Sequence, residues 1–175
     1  MKRMIALALA VAAAASLAAV AQARIAGTAT LDRSREQRSA DVTFAKWLTS
    51  LPNDPSAAGA SMAGVVGGDV GPGKFAGIVL TEDTSRLPFW LATALYGFSG
   101  SKHSFIAYNH IVENDGVSPA TATIRGVVIA GWMKGARVTG EYTVVGSCDP
   151  LPMPGNLFAP SCFKGTLHLR RGNDD

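Results

Sequence analysis

The chain has 175 residues, of which 47% are hydrophobic and 17% are charged, and its formal net charge is +3. Residues 1–23 include Lys2 and Arg3, and the rest of the chain has 14 basic residues against 13 acidic ones. Those 152 residues fit one domain with a sizeable core, and their near-neutral charge argues against nucleic acid as a partner.

Residues 1–23 have the three parts of a signal peptide. Lys2 and Arg3 are followed by an Ala-rich and Leu-rich apolar run, which ends in the cleavage sequence Ala21-Gln22-Ala23. The alternative is an uncleaved anchor, because the apolar run approaches the length that spans a membrane. Cleavage is favoured, which predicts a secreted or periplasmic protein without an integral membrane domain.

Residues 24–60 are polar and contain small side chains, and we interpret them as a flexible N-terminal arm. Within the arm, the segment VTFAKWL alternates and predicts a short strand near residues 42–48. In such a strand Val42, Phe44 and Lys46 share one side, and Ala45 and Trp47 share the other.

The glycine-rich stretch GGDVGPGKF, residues 67–75, comes within one residue of the phosphate-binding signature GxxxxGK[ST]. Phe75 occupies the position of the required hydroxyl, and the β-branched sequence after it does not predict a helix. The stretch is therefore interpreted as a turn between two strands.

Residues 61–172 are expected to form an all-β domain, with residues 173–175 as a tail. Apolar, β-branched segments there alternate with Gly, Pro, Asn and Asp. The segment RLPFWLATALYGF is ambiguous, since its apolar face also suits a helix, but a strand is favoured because Gly97 interrupts it. The predicted strands are residues 62–67, 74–82, 88–98, 103–113, 120–130, 137–145 and 163–170.

Seven or eight short antiparallel strands predict a small up-and-down β-barrel, with a β-sandwich as the alternative. The barrel is favoured by glycines within the strands, because glycine permits the strong coiling that a small barrel needs. The pattern is similar in architecture to small exported barrels such as the avidin-like and lipocalin-like proteins, without a diagnostic motif of either family.

The two cysteines, Cys148 and Cys162, are predicted to form a disulfide. In an oxidising compartment, an even pair of cysteines without another thiol most simply pairs with itself. The bridge would close a proline-rich loop.

No motif identifies a catalytic or metal centre, so catalytic residues stay unknown and neither metal nor cofactor is expected. His103 and His110 are seven residues apart, which puts them on opposite faces of one predicted strand. For an enzyme of the hydrolase or cyclase type, the candidate acid–base groups are His103, His110 and Glu141.

Four residues are the candidate ligand-binding set: Trp90, Tyr96, Tyr108 and His110. If their faces point inward, an eight-stranded barrel could hold one small apolar or amphipathic molecule. The leading hypothesis is an exported, non-catalytic barrel that binds a small molecule or a macromolecular partner. A barrel enzyme and a structural envelope or surface protein are the alternatives, and the oligomeric state is left open.

Overall fold

The structure is a computed structural model that describes residues 38–51, 59–148, 155 and 162–172. The predicted signal peptide, residues 24–37 and 52–58 of the predicted arm and the C-terminal tail lie outside the described residues. In the part that is described, eight antiparallel strands pair in chain order, and the last pairs with the first to close a barrel. The predicted all-β barrel is thus confirmed. Its strands are β1 Ser39–Ser50, β2 Ser61–Gly68, β3 Gly73–Arg86, β4 Phe89–Gly100, β5 Ser104–Asn114, β6 Thr121–Gly131, β7 Arg137–Val145 and β8 Cys162–Arg170.

Strand β1 is longer than the predicted short strand and belongs fully to the barrel. It pairs with β2 on one side and with β8 on the other, so it supplies the closure. The barrel therefore begins at Ser39, not at residue 61. The predicted alternation in β1 is confirmed, since Val42, Phe44 and Lys46 are buried in the lumen.

One end of the barrel, here called the closed end, carries the turns at residues 69–72, 101–103 and 132–136. The stretch GGDVGPGKF lies there as the turn between β2 and β3 and is not followed by a helix. Val70 and Met133, which belong to the first and third of these turns, are fully buried. The backbone N–H of Lys102 donates to the carbonyl of Val70 at 2.9 Å, which ties two of the turns together.

Aromatic rings fill the lumen next to the closed end. Phe98 stacks on Phe105 with ring centroids 4.5 Å apart, and Phe75 packs edge-on against Tyr96 at 5.0 Å and against Phe98 at 5.4 Å. Offset and edge-to-face packing of this kind stabilises a core beyond its buried area. This half of the lumen is therefore a packed core.

The predicted disulfide between Cys148 and Cys162 is present, with the two Cα atoms 5.3 Å apart. Both cysteines are buried on the outer face of the barrel, in a small cluster with Ala45 and Trp47. The bridge joins the chain just after β7 to the first residue of β8.

Gly165 on β8 faces the lumen, where the barrel wall leaves no room for a side chain. A Cβ at this position would overlap the carbonyl oxygen of Glu141 and lie 2.7 Å from Cζ of Phe44. We expect Gly165→Ala to lower the free energy of unfolding by about 1–3 kcal/mol, because the crowded strands must move apart. Urea unfolding measures this change.

Gly97→Ala is the matched control, since a Cβ there meets nothing closer than 3.5 Å. We expect it to change the stability by less than about 1 kcal/mol. Equal effects of the two substitutions would show that the close approach at Gly165 does not govern this part of the barrel.

Candidate functional site

The end of the barrel opposite the closed end, here called the cavity end, contains a cavity of about 290 Å³. It lies where the turns at residues 87–88 and 115–120 join the strands. Its walls are mostly apolar, and its polar groups are one lysine, one tyrosine and three carboxylates. The described residues that line it are Lys46, Leu48, Leu51, Ala60, Met62, Val79, Glu82, Trp90, Tyr96, Ile111, Glu113, Asp115 and Phe163.

Lys46 is the central polar residue of this cavity. Its position in the alternating β1 directs the side chain into the lumen, and the residue is only 3% exposed. The amine donates a hydrogen bond to the hydroxyl oxygen of Tyr96 on β4, and it lies 3.6 Å from the sulfur of Met62. The ring centres of Tyr96 and Tyr142 are each 4.5 Å from Nζ.

Burial lowers the pKa of Lys46 from 10.5 to about 7, because the charged ammonium loses its hydration. The negative charge of Glu113 partly opposes this shift. A substantial fraction of the Lys46 amine is therefore neutral near pH 7. A neutral amine has a free lone pair, so it can act as a base or as a nucleophile.

A second polar pair lies beside Lys46. The hydroxyl of Tyr142 on β7 donates a hydrogen bond to Oε2 of Glu113 on β5. Burial raises the pKa of Glu113, while the hydrogen bond from Tyr142 opposes the rise. Burial also raises the pKa of Tyr96 and of Tyr142, which keeps both hydroxyls protonated.

Two of the four candidate residues from the sequence line the cavity. Trp90 is half-buried in its wall and Tyr96 contacts Lys46. Both lie on the inward side of β4 with Phe98, as their shared parity predicted.

Tyr108 and His110 do not line the lumen, which corrects the hypothesis that their face of β5 points inward. Tyr96 pairs with Ala107, so it is Ala107, Asn109 and Ile111 that face the interior. The small Ala107 side chain leaves space for the tyrosine ring opposite, and Tyr108 is forced to the outer face. There the pairing register places it between Leu95 and Val127.

The candidate acid–base groups named from the sequence also lie away from the cavity. His103 stacks on Trp132 at the closed end with ring centroids 4.1 Å apart, and His110 is exposed. Glu141 is exposed on the outer face of β7. Lys46 was not among the site residues predicted from the sequence. A usable signal was present, because Lys46 shares one face of the predicted strand with the apolar Val42 and Phe44.

Within the described residues, no group of three or more His, Cys, Asp or Glu side chains is arranged to hold a metal ion. Over the same part of the chain, no helix is long and apolar enough to cross a membrane.

Fold and site together define a class: a closed eight-stranded antiparallel β-barrel with a packed closed end and a cavity built around a buried lysine. Comparison of the chain with protein-family models, with curated proteins and with solved structures found no match. The proposed function therefore rests on the geometry of the site itself.

Proposed function

We propose that this protein is an exported, non-catalytic barrel that binds a small, neutral, amphipathic molecule in the cavity beside Lys46. The observation that carries the proposal is the combination of apolar walls with a few convergent polar groups in a concave site, which is typical of ligand pockets. Export is supported by the signal-peptide pattern, and the disulfide is compatible with an oxidising compartment.

The size and charge of the cavity narrow the class of ligand. A volume of about 290 Å³ lies near the lower end of the range for ligand pockets, which favours a compact molecule. Glu82, Glu113 and Asp115 line the cavity against one lysine, so an anionic ligand would meet repulsion. A neutral molecule with one polar end can hydrogen-bond to Lys46 or Tyr96 and place its apolar part against Leu48, Trp90 or Ile111.

Titration with eight-carbon probes tests this proposal. Trp90 is the only one of the three tryptophans that lines the cavity, so its fluorescence reports occupancy. We expect 1-octanol and 2-octanone to change the fluorescence, and octanoate to bind about tenfold more weakly, which corresponds to about 1.4 kcal/mol.

Trp90→Phe is the control, because it removes the reporter and leaves Trp47 and Trp132 in place. The fluorescence change should disappear in this variant. An unchanged response in Trp90→Phe, or the absence of binding by both neutral probes, would contradict binding in this cavity.

A second candidate function is acid–base catalysis, which is favoured by the presence of Lys46 and Glu113 in one cavity. Burial shifts their pKa values toward each other, and such pairs are common at active sites. Mass spectrometry of a bound compound before and after incubation separates the two functions. Recovery of the compound unchanged supports binding, and conversion supports an enzyme.

A further inference from the structure

We propose that Lys46 captures a small aldehyde or ketone in the cavity as a reversible imine on Nζ. This inference rests on the proposed function, because the carbonyl compound must first occupy the cavity. A carbonyl compound is the class of ligand that Lys46 and its polar neighbours suit best.

The enclosure of Nζ suits a neutral carbonyl group better than a carboxylate. The amine is enclosed by the rings of Tyr96, Tyr142 and Phe163, whose centres lie 4.5, 4.5 and 5.4 Å away. Burial there disfavours the ammonium form, which a carboxylate ligand would need as its partner. A carbonyl group instead requires the neutral amine and brings no charge of its own.

The groups that face Lys46 from the packed strands can also support the proton transfers. Tyr96 on β4 accepts a hydrogen bond from Nζ, and the hydroxyl of Tyr142 on β7 donates a hydrogen bond to Glu113 of β5. Glu82 of β3 and Asp115 after β5 line the same cavity. Burial raises the pKa of Glu113, so this carboxyl can hold a proton at a pH where an exposed one cannot.

The reaction is balanced without an oxidant or a reductant. The Nζ lone pair forms a bond to the carbonyl carbon, the C=O π pair moves to oxygen, and a proton passes from nitrogen to that oxygen to give a carbinolamine. The protonated carboxyl of Glu113 gives its proton to the carbinolamine hydroxyl, the nitrogen lone pair forms C=N as water leaves, and the remaining N–H proton returns to the Glu113 carboxylate to give the neutral imine. One amine and one carbonyl compound therefore yield one imine and one water.

Reductive trapping tests the inference on the full disulfide-bonded chain. The protein is incubated with octanal and sodium cyanoborohydride near pH 7, and the labelled residue is located by peptide mass spectrometry. A pKa of about 7 leaves about half of Lys46 neutral there, about a thousandfold more than the neutral fraction of an ordinary lysine. We therefore expect Lys46 to carry most of the lysine label.

The pH profile and two variants complete the test. Labelling of Lys46 should increase through about pH 7 and then level off. Lys46→Met should remove the dominant label, and Lys164→Met, on the outer face of β8, should leave it. If Lys46→Met does not fold, the peptide map and the pH profile of the unmodified chain still show whether octanal labels Lys46 selectively.

Two different failures can be distinguished. Octanol binding without octanal labelling at Lys46 would overturn imine formation and leave the proposed function standing. Failure of octanol, 2-octanone and octanal to occupy the cavity would overturn both. Label distributed evenly over the exposed lysines also contradicts the inference.

Discussion

Replacement of Lys46 by methionine should remove most of the increase in stability that we expect between about pH 7 and about pH 9.5. The pKa of Lys46 is about 7 in the folded state and 10.5 as the ordinary value. Between these values the unfolded chain binds more protons than the folded one, so the free energy of unfolding increases with pH. One such group contributes at most about 1.4 kcal/mol per pH unit, or about 3 kcal/mol over this window.

Well below pH 7 the lysine is protonated in both states, and its burial penalty is fully present. Above the unfolded value the amine is neutral in both states, and the penalty is gone. Measurements should stop near pH 9.5, because Tyr96 and Tyr142 have raised pKa values and their ionisation in the unfolded chain then favours unfolding.

Urea unfolding at several pH values checks this prediction, with Lys164→Met as the matched control. Lys164 is exposed on β8, next to Ala45 of β1, so its loss should leave the pH dependence unchanged. Parallel pH profiles for Lys46→Met and the unmodified protein would show that the folded barrel does not depress the pKa of Lys46.

Removal of the disulfide by Cys148→Ala with Cys162→Ala should lower the free energy of unfolding by about 3 kcal/mol. The bridge spans a sequence separation of 14 residues, and closing a loop of that size restricts the unfolded chain. Both cysteines are fully buried beside Trp47, so alanine avoids placing a hydroxyl in this cluster.

Denaturant unfolding with and without a reductant measures this effect. The reductant should lower the stability of the unmodified protein and should not change that of the double variant. If the unmodified protein and the variant unfold at the same denaturant concentration without reductant, the bridge does not stabilise the fold as expected.

Much of the fold could be predicted from the sequence because its signals are local. Alternation marked β1 and put Lys46 on the same side as Val42 and Phe44, and turn-forming residues separated the strands. The segment that becomes β4 was correctly favoured as a strand, and the two cysteines had only each other as partners. The extent of β1 was underestimated, because its pairing with β8 is non-local, although Ala40 continues the alternation of Val42 and Phe44.

Only half of the candidate site was predicted. Alternation along a strand divides its side chains between two faces but does not say which face points into the barrel. Trp90 and Tyr96 were grouped correctly, but Tyr108 and His110 belong to the outer face of β5. The register of β4 against β5 decides this, since it pairs Tyr96 with Ala107. No local property of β5 contains that information.

Local residue patterns alone thus predict an all-β chain with a signal-peptide pattern, a cysteine pair and strands that alternate in polarity. The folded barrel brings Lys46, Tyr96, Glu113 and Tyr142, which belong to four different strands, into one cluster of contacts beside the cavity. Pairing of β1 with β8 closes the barrel, so the inward side chains of all strands share one lumen and Lys46 is removed from water. That loss of hydration depresses the pKa of Lys46, on which the proposed chemistry depends.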